Sequence, residues 1–219
     1  MSGPRLSDIP LKAYFSFSFP IYRLREMPAL SARPEDWDDR YLLPVTAGMD
    51  GVKPFAKVYA GWSPSGMWTA FRVDQKQPPR PRPERFWTGD ACEVWIDTRG
   101  SRDAHKPTPY CHHFYLMPDG PQGGTPPIGY LRMLRKSAGG QDPDLSKVKV
   151  ARRTTDSGYA IEAFFPAEIL NGYDPHDSPV IGFCYNVCSV SMGRMHLGLP
   201  EGFRVWEDPS MWASCRLTE

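Results

Sequence analysis

The chain lacks any long apolar run: across its 219 residues no stretch approaches the roughly 18 apolar residues that a membrane-spanning helix needs. Its opening, MSGPRLSDIPLKAYFSFSFPIYRL, is broken by Pro10, Lys12 and Pro20, so no continuous apolar core of a secretory leader is present, and a cytoplasmic location is expected. Charge of either sign is not in excess. Lys plus Arg against Asp plus Glu stands at 26 to 25, a balance that calls for neither nucleic acid nor an acidic membrane surface as partner. Cysteine is sparse and odd in number. Cys92, Cys111, Cys184, Cys188 and Cys215 read as five free thiols in a domain large enough not to need staples. Missing too are a G-x-S-x-G elbow, a P-loop, a G-x-G-x-x-G after a strand and an H-E-x-x-H, so no catalytic motif stands out.

What the chain does hold is 24 prolines and 19 glycines among 13% aromatic residues, a composition of many turns and few long helices. Alternating or β-rich runs recur at 13–19, 56–60, 68–73, 91–97, 110–117, 147–152, 159–165, 181–191 and 211–217. The pattern predicts an all-β, antiparallel two-sheet β-sandwich, immunoglobulin-like or jelly-roll-like, with about nine or more strands in a single domain. Residues 1–36 are expected to add a strand to a sandwich formed by 37–219. The Gly61–Gly66 stretch reads as a hairpin loop and Asp119-Gly120 as the end of another strand. Two loops stand apart. QPPRPRPE at 77–84 is stiff and basic and would frame whatever follows it, and 118–146, with the apolar and basic stretch Tyr130–Lys136, would form an insertion or a lid.

The stretch Phe86–Asp97, FWTGDACEVWID, joins a tryptophan, a glycine-led turn and an alternating strand. Successive strand side chains point to opposite faces, so Cys92, Val94 and Ile96 enter a core while Glu93, Trp95 and Asp97 face away, with Trp87 at the mouth of that second face. Applied to the other strands, the same parity places His113, Tyr115, Glu162 and Asn186 on the polar side. An aromatic plane beside carboxylates and amides suits a sugar, whose C–H face stacks on a ring and whose hydroxyls need acceptors and donors. The alternative is that Trp87 and Trp95 only cover the edge of the core. Cys111-His112-His113 is split by strand parity, and no second ligand pair completes a zinc site, so no metal is expected. Glu93 and Glu162 are the residue types of a glycosidase pair, with no further support for that chemistry in the sequence.

In order, W-x-G-D-x-x-E-x-x-I-D at Trp87–Asp97, HFYLMPDG at 113–120, GYAIEAFFP at Gly158–Pro166 and I-G-F-x-x-N-V at 181–187 resemble carbohydrate-binding module family 9 and its wider group of DOMON-like, bacterial-type domains. The likeness spans roughly 37 to 217, with PFAKVYAGWSPSGMWTAFRV at 54–73 as the paired strands before the first motif. It implies a β-sandwich that binds a saccharide without catalysis, a tryptophan stacking on the pyranose and polar side chains taking its hydroxyls. The family tryptophan and glutamate fall on Trp87 and Glu93. Where the family pattern has an arginine, this chain has Tyr115 after His113. A second stacking tryptophan is not found soon after the Asn186 strand, where Ser189 stands; Trp206 or Trp212 would have to substitute. No cofactor is expected; the resemblance leaves a structural calcium open, although no compact Asp-rich loop marks a place for it. Two rival readings remain: a protein-interaction or scaffold domain, favoured by a homodimer that buries Trp87 and Trp95, and a small stand-alone glycoside hydrolase.

Overall fold

A computed structural model describes residues 11–133, 142–199 and 203–219. Among the described residues the chain forms β1 (Ser18–Arg23), β2 (Ala56–Ser63), β3 (Gly66–Asp74), β4 (Ala91–Asp97), β5 (Cys111–Leu116), β6 (Ile128–Tyr130), β7 (Lys149–Thr155), β8 (Gly158–Pro166), β9 (Val180–Ser189), β10 (Gly193–His196) and β11 (Ala213–Thr218), with only short 3-10 turns between them. No helix among them is long and apolar enough to cross a membrane. Eight of the nine expected runs coincide with strands. The exception is 13–19, where Leu11–Tyr14 coils into a 3-10 turn and the strand starts only at Ser18. The coil carries Lys12 inward to an ion pair with Asp50, at 2.6 Å, and the strand begins where Phe19 and Ile21 can alternate into the core.

The expectation of two antiparallel sheets differs from what the chain builds. All eleven strands belong to one mixed sheet in the order β6-β5-β4-β9-β11-β1-β2-β3-β8-β7, with β10 added to β9. The cause is β1, which pairs in parallel with both β11 and β2 and so stitches two antiparallel halves into one. Trp62 on β2 strengthens that seam by donating its indole N–H to the Thr218 carbonyl on β11, at 3.0 Å. The sheet curls until its ends approach. Phe114 on β5 packs on Phe165 of β8 with ring centroids 4.6 Å apart, and Arg152 on β7 donates to the Met117 carbonyl just past β5, so the sheet is nearly closed into a barrel. One core fills the interior, built from the inward residues of both halves, such as Val94, Ile96 and Phe183 against Val58, Phe71 and Ile161.

The hairpin stands where the sequence placed it but is tighter: Gly61–Ser63 belong to β2 and Gly66 to β3, leaving Pro64-Ser65 as a two-residue loop. All five cysteines are free thiols, as expected, and all five are buried. Of the 118–146 segment, the three-residue strand β6 pairs with β5, and the Tyr130–Lys136 stretch is described only as far as Met133; residues 134–141 lie outside the described residues.

Candidate functional site

Strands β5, β4, β9 and β10 lie side by side, and their registers line up one row of side chains: Tyr115, Glu93, Asn186 and His196. The next row holds His113, Trp95 and Cys184. These are the positions that strand alternation turns away from Cys92, Val94 and Ile96. The face is not open. Every residue of β4 is buried, because loops roof its second side and leave a cavity of about 330 Å³. Six of the eight residues anticipated for the site, Trp87, Glu93, Trp95, His113, Asn186 and Trp206, line it together.

The floor is a buried polar network. Glu93 Oε1 accepts from Asn186 Nδ2 at 2.8 Å, and Glu93 Oε2 lies 2.9 Å from His113 Nε2. A carboxylate only accepts, so the imidazole proton sits on Nε2. Trp95 stacks on the His113 ring, with centroids 4.3 Å apart and planes 21° from parallel. Three polar atoms of this floor have no hydrogen-bond partner: Trp95 Nε1, His113 Nδ1 and Asn186 Oδ1. Buried polar atoms are nearly always satisfied, so three orphans on adjacent strands mark this floor as chemically incomplete. They comprise a donor, an acceptor and a ring nitrogen able to accept.

The mouth is aromatic. In the 3-10 turns of Pro83–Thr88, Phe86 turns inward and stacks on Tyr115 at 3.8 Å with planes 5° apart, which leaves its neighbour Trp87 45% exposed. Tyr115 itself does not line the cavity but backs this anchor; its ring occupies the space where a Cβ on Gly129 would sit, 2.0 Å from Cζ. The proline-rich stretch ahead of Trp87 is tied to the start of β4 by Asp90 N–H donating to the Arg80 carbonyl, so it frames the tryptophan as anticipated. On the other side Trp206 is 43% exposed, carried on a loop that Trp212 fixes by donating its indole N–H to the Val205 carbonyl at 2.7 Å. Trp212 is core; of the two substitutes for a second tryptophan, only Trp206 reaches the cavity.

Glu162 is not brought to this site. It lies on β8, separated from β4 by five intervening strands in the sheet order, and its carboxylate accepts from Trp68 Nε1 and Ala32 N, both at 2.8 Å. Parity told its side of the strand but not which half of the sheet it occupies. The four-strand polar surface is therefore made of β5, β4, β9 and β10, not β8. Glu93 and Glu162 do not face one another. Cys111 packs into the core beside Thr108, whose hydroxyl and amide contact its thiol, while His112 and His113 take opposite faces. Among the described residues no group of three or more His, Cys, Asp or Glu side chains is placed to hold a metal. Burial pushes the Cys184 and Cys188 thiols up to about 12, so they stay protonated and are poor nucleophiles.

Arg194 and His196 are site residues that the sequence reading missed. They sit on β10, a four-residue strand too short to carry a pattern of its own, which opens at Gly193, whose φ of +90° closes a three-residue loop after β9. Arg194 Nη2 donates to the Trp87 carbonyl and so ties the mouth to the wall. Burial, with the charges of Lys12 and Arg194, pushes the His196 imidazole down to about 4, so it is neutral near pH 7.

No protein-family model matches the chain, and no curated protein matches its sequence. Solved structures do match its fold. A carbohydrate-binding module of family 9 from Caldicellulosiruptor kristjanssonii in complex with cellotriose superposes with a TM-score of 0.64 at 15% identity, covering 92% of this chain and 93% of that one. The module from the same organism in complex with glucose gives 0.64 at 14%, covering 90% and 95%. A candidate carbohydrate-binding protein from Bacteroides uniformis gives 0.57 at 11%, covering 92% and 98%. Over nearly its whole length the chain is thus a domain with the fold of carbohydrate-binding module family 9.

Proposed function

We propose that the chain is a non-catalytic carbohydrate-binding domain that holds a sugar in the cavity on β5, β4, β9 and β10. The observation that carries this reading is the convergence of two half-exposed tryptophans, Trp87 and Trp206, over a buried floor with unpaired polar atoms. The rings would stack on the C–H faces of a pyranose. The unpaired Trp95 Nε1, Asn186 Oδ1 and His113 Nδ1 are sealed from solvent, so these floor side chains would turn toward the cavity to meet the sugar's hydroxyls, with Glu93 joining His113 and Asn186 beneath it. The volume suits one or two sugar rings. The binding unit is taken as 37–219, with β1 from the 1–36 segment built into its sheet.

The cellotriose and glucose held by the structural neighbours make glucose and short cello-oligosaccharides the first ligands to test. Stacking and a few hydrogen bonds give millimolar to micromolar affinity, about −4 to −8 kcal/mol. Calorimetric titration of the intact chain and of Trp87→Ala is the test. Saturable heat in the wild type that the folded variant loses supports the reading; equal binding by both puts the sugar elsewhere. A homodimer would bear on the rival interaction reading only through Trp87, because Trp95 is already 4% exposed in the single chain.

A further inference from the structure

Lys12 is 2% exposed, an environment a lysine enters only when every donor is met. Its ammonium pairs with Asp50 Oδ2 at 2.6 Å and donates to the carbonyls of His196 at 2.9 Å and Gly198 at 3.2 Å. Thr46 works on the same segment, its hydroxyl lying 3.1 Å from the His196 carbonyl and 2.8 Å from that of Leu197. Three consecutive carbonyls at the end of β10 and just past it are therefore taken by side chains from two distant stretches of chain. They need such partners because β10 ends at His196, and the sheet no longer supplies donors there. This short segment carries part of the cavity wall: His196 and Leu199, its two ends, line the cavity.

We infer that Lys12 is a positioning residue for the sugar cavity, clamping the wall segment from His196 to Leu199 together with Thr46 and Asp50, so that a residue ahead of β1 takes part in the site without touching the ligand. The binding consequence rests on the proposed sugar reading; the clamp itself does not. A cation fits here better than a neutral donor because it serves two carbonyls and neutralises Asp50 at once. Removing the ammonium leaves the largely covered Asp50 carboxylate unpaired, whereas Thr46→Val removes one hydroxyl donor, shared between the His196 and Leu197 carbonyls, at constant shape and no charge.

The test is amide hydrogen exchange on the intact chain and on Lys12→Met and Thr46→Val, read at Leu197, whose N–H donates to the Tyr185 carbonyl, and at Ala70 in the β3 ladder as a distant control. Exchange at Leu197 should quicken by about tenfold or more in both variants while Ala70 keeps its wild-type rate, as expected when one local hydrogen-bond cluster is lost. Affinity for whichever cello-oligosaccharide the wild type binds should fall by about tenfold in the same variants, the loss equivalent to one good contact. Unchanged exchange at Leu197, or equal acceleration at Leu197 and Ala70, overturns the clamp; a quickened wall with unaltered affinity overturns the positioning role of Lys12 in binding. If the wild type binds no sugar, the sugar reading fails while the exchange result still decides the clamp. Should Lys12→Met not fold, Thr46→Val carries both readouts.

Discussion

Glu93 and Glu162 look alike in the sequence, each a glutamate within an alternating strand, yet the fold gives them different work. Glu93 orders two side chains around a cavity, whereas Glu162 fastens Trp68 and the backbone of Ala32 on the other half of the sheet. Substitution should separate them. Glu162→Ala should cost about 1–3 kcal/mol of stability, the penalty for stranding the buried indole N–H and amide, and leave sugar affinity unchanged. Glu93→Gln should unfold at a temperature nearer the wild type yet lose binding about tenfold or more, since the amide cannot accept from both His113 and Asn186. Denaturant midpoints beside calorimetric titrations check both; a Glu162 variant that stays stable but stops binding contradicts the assignment. Alternation made the orientation of Glu93, Trp95, His113 and Asn186 legible from the sequence. It could not tell that β8 lies remote from β4, because pairing partners are set by long-range topology.

At the scale of single elements, two strands hide a histidine each. His112 on β5 is pushed down to about 4 by burial in the core, and His196 on β10 to about the same by burial and nearby positive charge. Both folded values lie below the unfolded 6.5, so the native state favours the neutral rings. Their contribution is complete above about pH 6.5 and is lost as pH falls toward 4, by up to roughly 3 kcal/mol each. Urea midpoints measured from pH 7 to 4 should fall through that window, and the fall should shrink in His112→Phe; a flat profile contradicts it. The seam strand offers a second check. Trp62→Phe keeps the ring but frees the Thr218 carbonyl, and should cost about 1 kcal/mol in denaturant unfolding. Neither β10 nor β6 was legible beforehand. At four and three residues they are too short for an alternating pattern to rise above the loops around them, and β10 brings Arg194 and His196 into the site.

For the whole molecule, the all-β content and most strand positions follow from composition, alternation and turn punctuation, whereas the joining of all strands into one curled sheet does not. That step depends on a parallel strand inserted between β11 and β2, a pairing across nearly the full chain length for which local sequence carries no signal. The roof over the polar face is likewise a tertiary product, since Trp206 enters the site only because Trp212 and the Val205 carbonyl hold its loop. The chain has seven tryptophans, of which Trp87, Trp95 and Trp206 meet at the cavity while Trp68 and Trp212 are buried away from it in hydrogen bonds of their own. The most direct test of the account is an indole N–H NMR titration of the intact chain with glucose and cellotriose. The Trp87, Trp95 and Trp206 resonances should shift together and saturate at one affinity, with Trp68 unmoved; a spectrum that stays still, or one in which Trp68 moves and the cavity tryptophans do not, contradicts it.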